Sequence, residues 1–169
     1  MGVRNASLVA LVMLFASALA GQTQIAGKMH CPKPQALAHV EPGDEAGHTM
    51  RLEKSTCTWL IPFEMVGERA TEVSFVAFSE ESDTRAATNG TISGNMANGD
   101  KFYISFHWAA LKANDPEHTK GYWEFTGGTG KLKGITGKGT YTANENENGG
   151  EVNMEGEYSA LDKTDSPTQ

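Results

Sequence analysis

Between Phe125 and Tyr141 the chain reads FTGGTGKLKGITGKGTY, with six glycines: Gly127, Gly128, Gly130, Gly134, Gly137 and Gly139. No other stretch limits the fold so strongly. An interior glycine costs a helix roughly 0.5–1 kcal/mol relative to alanine, so this run cannot be helical. It suits tight turns and strands whose backbones pass close to other groups, and all six are expected to be structural. A phosphate-loop reading fails on its own terms. The Walker pattern requires glycine five residues before the Gly-Lys pair and Ser or Thr after it. Gly130-Lys131 has Phe125 before it and Leu132 after it. A dinucleotide fingerprint needs a following amphipathic helix, and Ile135–Thr142 alternates like a strand.

The rest of the chain reads as short strands. Lys101–Ala109 puts Phe102, Ile104, Phe106 and Trp108 on one face and Lys101, Tyr103, Ser105 and His107 on the other. Ser55–Ile61 groups Cys57, Trp59 and Ile61. Thr88–Met96 groups Ile92, Gly94 and Met96. Glu72–Ser79 is rich in β-branched and aromatic residues, and Gly121–Thr126 places Trp123 and Phe125 together. Gly137–Ala143 follows, and Glu151–Ala160 alternates Val152, Met154, Gly156 and Tyr158 with Glu151, Asn153, Glu155 and Glu157. Asn98-Gly99 and Asn148-Gly149 are hairpin signals of the type I′ kind, and Asn89-Gly90 marks a third turn or a bulge. Ala113–Lys120 is a longer loop. No amphipathic helix is evident after the N-terminus. Seven or eight one-sided strands predict an antiparallel all-β domain, either a closed barrel or a β-sandwich.

The pattern GGTGKxxGxxGxGxY resembles the glycine-rich hairpin of the allene oxide cyclase and dirigent superfamily, small exported or plastid β-barrels. It is similar above all to uncharacterised bacterial secreted members of that group. The resemblance covers about Tyr122–Tyr158. It implies a single antiparallel β-barrel of about eight strands, an isomerase or cyclase as the enzymatic alternative, and a homo-oligomer, a trimer, as the assembly. Family catalytic groups are a glutamate and polar residues in one branch, and aspartates, an arginine and tyrosines in the other. None of them maps onto a position here, so the resemblance assigns no catalytic residue.

Residues 1–20 read as a signal peptide. Arg4 precedes an uncharged apolar run, and Ala18-Leu19-Ala20 has the small-x-small form of a cleavage site. Cleavage after Ala20 leaves no membrane span, and the chain is expected in the periplasm or secreted. Residues 21–47 carry Pro32, Pro34 and Pro42 and read as an extended N-terminal segment. Residues 48–161 form the barrel domain, and 162–169 a disordered tail. The formal charge is −7, and loss of Arg4 makes it −8. Such an acidic product is not a nucleic-acid binder, which needs clustered Lys and Arg. The two cysteines, Cys31 and Cys57, point to one disulfide in an exported chain, with two buried free thiols as the alternative.

No catalytic constellation emerges. His30, His39, His48, His107 and His118 lack metal-ligand spacing, so neither metal nor cofactor is expected. Thr91-Ile92-Ser93-Gly94 lacks the first glycine of a nucleophile elbow. Paired carboxylates occur as Glu80-Glu81 and as Glu151, Glu155 and Glu157, of which the latter set shares the polar face of the last strand and reads as a solvated face. Trp59, Phe102, Phe106, Trp108, Trp123 and Tyr141 remain as candidate lining for a small apolar ligand inside the barrel.

Overall fold

The computed structural model describes residues 22–111, 119–146 and 148–160. The expected signal peptide, most of the Ala113–Lys120 loop and the 162–169 tail lie outside them. Ten strands follow in order: β1 Thr23–Pro32, β2 Gln35–Val40, β3 Thr49–Ile61, β4 Glu64–Met65, β5 Glu68–Glu81, β6 Arg85–Met96, β7 Lys101–Leu111, β8 Thr119–Gly128, β9 Thr136–Asn146 and β10 Gly149–Ser159. All pairings are antiparallel, in the order β2-β3-β1-β10-β9-β8-β7-β6-β5-β4, and β3 also pairs with β5. That last pairing closes eight strands into a barrel and leaves β2 and β4 as short additions. Closure removes the exposed edges that an open sheet would offer to other chains.

The inner face follows the expected alternation. Phe102 and Ile104 are buried on β7, Ile92 and Met96 on β6, Trp123 and Phe125 on β8, Met154 and Tyr158 on β10. Tyr103 and Tyr122 lie outside and stay exposed. Glycines on this face make room for rings on the neighbouring strand. A Cβ at Gly94 would collide with the Phe102 ring, one at Gly90 with Phe106, and one at Gly121 with Tyr141. At Gly139 or Gly156 it would come within 2.7 Å of the Trp123 ring.

Several expectations change. Residues 21–47 are not all outside the barrel. Thr23–Pro32 is a full barrel strand, paired along its length with β10, and Ile25, Met29 and Cys31 point inward. The prolines that obscured this strand sit only at its end. Asn89-Gly90 is neither turn nor bulge: it lies in an unbroken ladder between β5 and β7, and its glycine accommodates Phe106. Ile61 does not share the face of Trp59. The register slips between Lys28 and Met29 of β1, the alternation flips, and Ile61 is 59% exposed while Phe63 goes fully inside. At Asn98-Gly99 only Gly99 has positive φ, at 86°. Gly99 N donates to Met96 O at 2.9 Å, and Asn98 Oδ1 accepts from Asp100 N at 3.0 Å. This is a three-residue loop ending on a left-handed glycine, not a two-residue type I′ turn.

The glycine-rich connection closes one end of the barrel, here the lower end. After β8 the chain makes one 3₁₀ turn, Gly130–Leu132. Leu132 and Ile135 enter the core at 1% and 2% exposure. Gly130 has φ 53° and lies against the Asp100 carboxylate, which accepts a hydrogen bond from Lys131 N at 2.9 Å. Thr129 Oγ1 accepts from Lys101 N at 2.8 Å. The Phe63–Ala70 hairpin completes the plug with buried Phe63 and Met65.

The six glycines of the run do not share one role. Gly128, Gly137 and Gly139 sit where another backbone passes close: a Cβ there would strike the carbonyl of Lys101, Glu157 or Glu155 respectively. Gly134, at φ 77°, belongs to the turn that returns the chain to Ile135 and β9. Gly127 departs from the close-approach reading. Its surroundings are open, and its φ of 153° goes with the slip in the β7–β8 ladder, where Tyr103 faces Gly127, Ile104 faces Phe125 and Thr126 is passed over.

Candidate functional site inside the upper barrel

Ring contacts divide the interior into two groups. Below, Phe63 meets Trp59 at 5.1 Å, Trp123 at 6.1 Å and Phe102 at 6.2 Å, and Phe125 joins Trp123 at 5.3 Å. Phe63 and Phe102 are wholly enclosed, and Trp123 donates its Nε1 hydrogen to Thr140 O at 3.0 Å. Above, Phe106 takes edge-to-face contacts with Phe75 at 6.2 Å and Tyr141 at 5.9 Å. Phe75, Phe106 and Trp108 pack against the core but keep partial exposure. In the lower half Phe63, Phe102, Trp123 and Phe125 are buried and Trp59 keeps partial exposure, whereas the upper half presents three half-covered aromatic faces.

The polar part of the upper half comes from β3, β5 and β6. On β3 the inward positions run Arg51, Glu53, Ser55 and Cys57; on β5 they run Phe75, Ala77, Ser79 and Glu81. Arg51 donates to Glu81 Oε2 at 2.7 Å and lies 3.8 Å from Glu53. Its Nε is buried and meets no hydrogen-bond partner among the described residues. Ser79 and Thr88 share a hydrogen bond of 3.1 Å across β5 and β6. The interior therefore grades from rings to a charged rim. Such a lining can hold an apolar body and orient a polar end, since Arg51 offers donors in a fixed fork and the carboxylates accept.

The disulfide joins Cys31 and Cys57 across the β1–β3 seam, with Cα atoms 4.2 Å apart. Both cysteines are buried on the inner face. Outside the rim, His48 is buried between Asp44 Oδ1 at 2.6 Å and Glu80 Oε1 at 3.3 Å. The Asp44 hydrogen bond, together with the surrounding acids, raises the His48 pKa above its ordinary value against the opposing effect of burial. The same bond lowers that of Asp44. Arg85 bridges Glu80 and Glu45, and Thr84 donates to Glu45 at 3.2 Å. This network docks the 41–48 loop onto the β5–β6 turn.

Of the six candidate lining residues, Phe106, Trp108 and Tyr141 belong to the upper half. Trp59, Phe102 and Trp123 belong to the lower group. Sequence reasoning missed Arg51, Glu53, Phe75, Ser79 and Glu81. Two signals could have found them: the odd-numbered alternation of β3 continues N-terminal to Ser55, and that of β5 runs to Glu81. Glu80 and Glu81 are not a pair, since they point to opposite faces. His107 faces outward and stacks on Tyr122 at 5.5 Å. Among the described residues no cluster of His, Cys, Asp and Glu could hold a metal ion.

No protein-family model matches the chain, and no curated protein matches it. Solved structures do. One is the pterocarpan synthase dirigent protein, 13% identical, with a TM-score of 0.52 over 93% of this chain and 100% of that one. Another is a protein of unknown function from Clostridium acetobutylicum, 8% identical, with a TM-score of 0.45 over 81% of this chain and 97% of that one. Identity at this level speaks for architecture alone. The closed eight-strand barrel and its match to the first of these structures over 93% of the chain give it the dirigent-type β-barrel fold.

Proposed function

We propose that this is an exported barrel that holds a small, mainly apolar molecule in its upper half. The observation that carries the reading is the division of the interior: Phe63, Phe102, Trp123 and Phe125 below are buried with only Trp59 partly exposed beside them, while Phe75, Phe106 and Trp108 above are all only half covered. The buried disulfide supports export, because such bonds persist in oxidising compartments. The mature chain then starts at Gly21, and N-terminal sequencing of the exported protein reads this directly. Self-association, as a trimer, is part of the same reading. It is supported by Leu52, Val76 and Phe78, exposed side by side on the outer face of β3 and β5. Native mass spectrometry of protein purified from its own host tests both. A retained small molecule on an oligomer supports the reading. Bare protein that also takes up no apolar probe contradicts it.

A second reading has one specific observation behind it. Arg51, Glu53 and Glu81 converge beside the half-covered rings, which is the arrangement an isomerase or cyclase would use to move a proton on an enclosed apolar intermediate. The dirigent structure that shares this fold is described as a pterocarpan synthase, which keeps an enzymatic role open for this barrel. If the retained molecule is recovered chemically changed by wild type, and unchanged by Glu81→Gln, the enzymatic reading stands.

A further inference from the structure

We propose that the Cys31–Cys57 disulfide is a dithiol-reducible latch on the weakest seam of the barrel. On reduction, β1 would part from β3 while the other strand ladders remain closed. The seam is short for a structural reason. β1 and β3 share only three registered pairs, Lys28 with Ile61, Met29 with Trp59 and His30 with Thr58, and a register slip interrupts them. By contrast β6 and β7 pair without a break from Arg85 and Leu111 to Asn95 and Lys101, and β1 pairs with β10 from Thr23 to Pro32.

The seam cannot lengthen at either end. Upward, Pro32 and Pro34 have no N–H to donate, and the chain leaves β1 there. β2 then takes over the same edge of β3, from Lys54 to Met50. Downward, β3 ends at Ile61 and the Phe63–Ala70 hairpin folds beneath the barrel. Between the last registered pair and β2, two links hold the edges together. One is the disulfide. The other is the hydrogen bond from Ser55 Oγ to Pro32 O, at 3.2 Å. The covalent tie across the barrel wall thus sits where the hydrogen-bonded ladder is thinnest. Parting this seam would open a side route to the interior between β1 and β3. The use of that route by a ligand rests on the proposed function; the opening itself does not.

The chemistry is ordinary exchange. A thiolate of a dithiol attacks one sulfur of the bond, a mixed disulfide forms, and the other cysteine leaves as a thiolate. The second thiol of the reductant, as thiolate, then closes its own disulfide and releases the first cysteine. Two electrons pass to Cys31 and Cys57, which end as thiols, and the dithiol ends oxidised. Both cysteines are less than a tenth exposed, so attack requires a fluctuation of the seam. The strength of the closed seam thereby sets the rate of reduction.

Hydrogen exchange read by mass spectrometry on the full mature chain tests the latch, with dithiothreitol as reductant. We expect those amides of 28–30 and 58–61 that point across the seam to exchange at least about tenfold faster after reduction, while the amides of 28–30 directed at β10 and those of 86–95 keep their protection. A Cys31→Ser, Cys57→Ser variant without reductant should reproduce the pattern, which excludes an effect of the reagent. Uniform acceleration over all strands would show that the bond holds the whole fold, and would overturn the proposal. Unchanged exchange at the seam would overturn it too. Loss of a bound anilinonaphthalene sulfonate dye on reduction is read separately: failure of the dye to bind at all counts against the proposed function and leaves the latch standing.

Discussion

Single positions in this barrel are decided by close approach. Gly130 holds a left-handed φ, and the Asp100 carboxylate fills the space a side chain would need. Gly130→Ala should therefore cost about 1 kcal/mol or more, read as a lower urea midpoint with an unchanged slope. Val66 is the opposite case. It has φ 52°, and Gly67 follows at 75°, in a two-residue turn between Met65 and Glu68. A β-branched residue is strained there, and its side chain is 39% exposed. Val66→Asn should raise stability by roughly 1 kcal/mol; a lower melting temperature would show that the valine makes contacts worth more than the strain. His48 gives a pH signature. Its folded pKa is raised, so its contribution is complete below the ordinary value near 6.5 and fades as pH rises through the folded value. Asp44 is lowered, so its contribution is present above its ordinary value and fades in acid. Melting temperature should fall between mildly acidic and mildly alkaline pH in wild type. In His48→Gln that slope should flatten; an identical slope would place the titration elsewhere.

At the scale of strands, legibility followed the contrast between the two faces. β7 was plain because large rings alternate with polar residues, and its faces stand as read. β1 was not, because its inward set includes Gly27 and its outward set includes Ala26, so the alternation is faint beside three nearby prolines. The Ile61 flip could not be read locally, since a bulge depends on the partner strand, and the slip at Gly127 was hidden for the same reason. The upper site was lost for a different reason. Arg51, Glu53 and Glu81 are charged residues on inward positions, and inward charge breaks the apolar pattern by which strands are recognised. The division into two aromatic groups makes a further prediction. Trp123→Ala, in the packed half, should cost about 3–5 kcal/mol, whereas Trp108→Ala should cost less than half as much. Equal losses in chemical denaturation would mean that the upper half is as tightly filled as the lower.

At the scale of the molecule, the barrel is closed below by the glycine-rich turn and the Phe63–Ala70 hairpin, and lined above by half-covered rings under a charged rim. The proposed function makes the upper half a binding chamber, and everything proposed for its ligand depends on that. The most direct measurement is amide and side-chain NMR of the isotopically labelled mature chain, titrated with an apolar aromatic probe. Saturable shifts are expected at Phe75, Phe106, Trp108 and the Arg51 side chain, with Phe102, Leu132 and Met154 unmoved. Shifts confined to Leu52, Val76 and Phe78 on the outer face, or the absence of any saturable shift, would contradict the chamber.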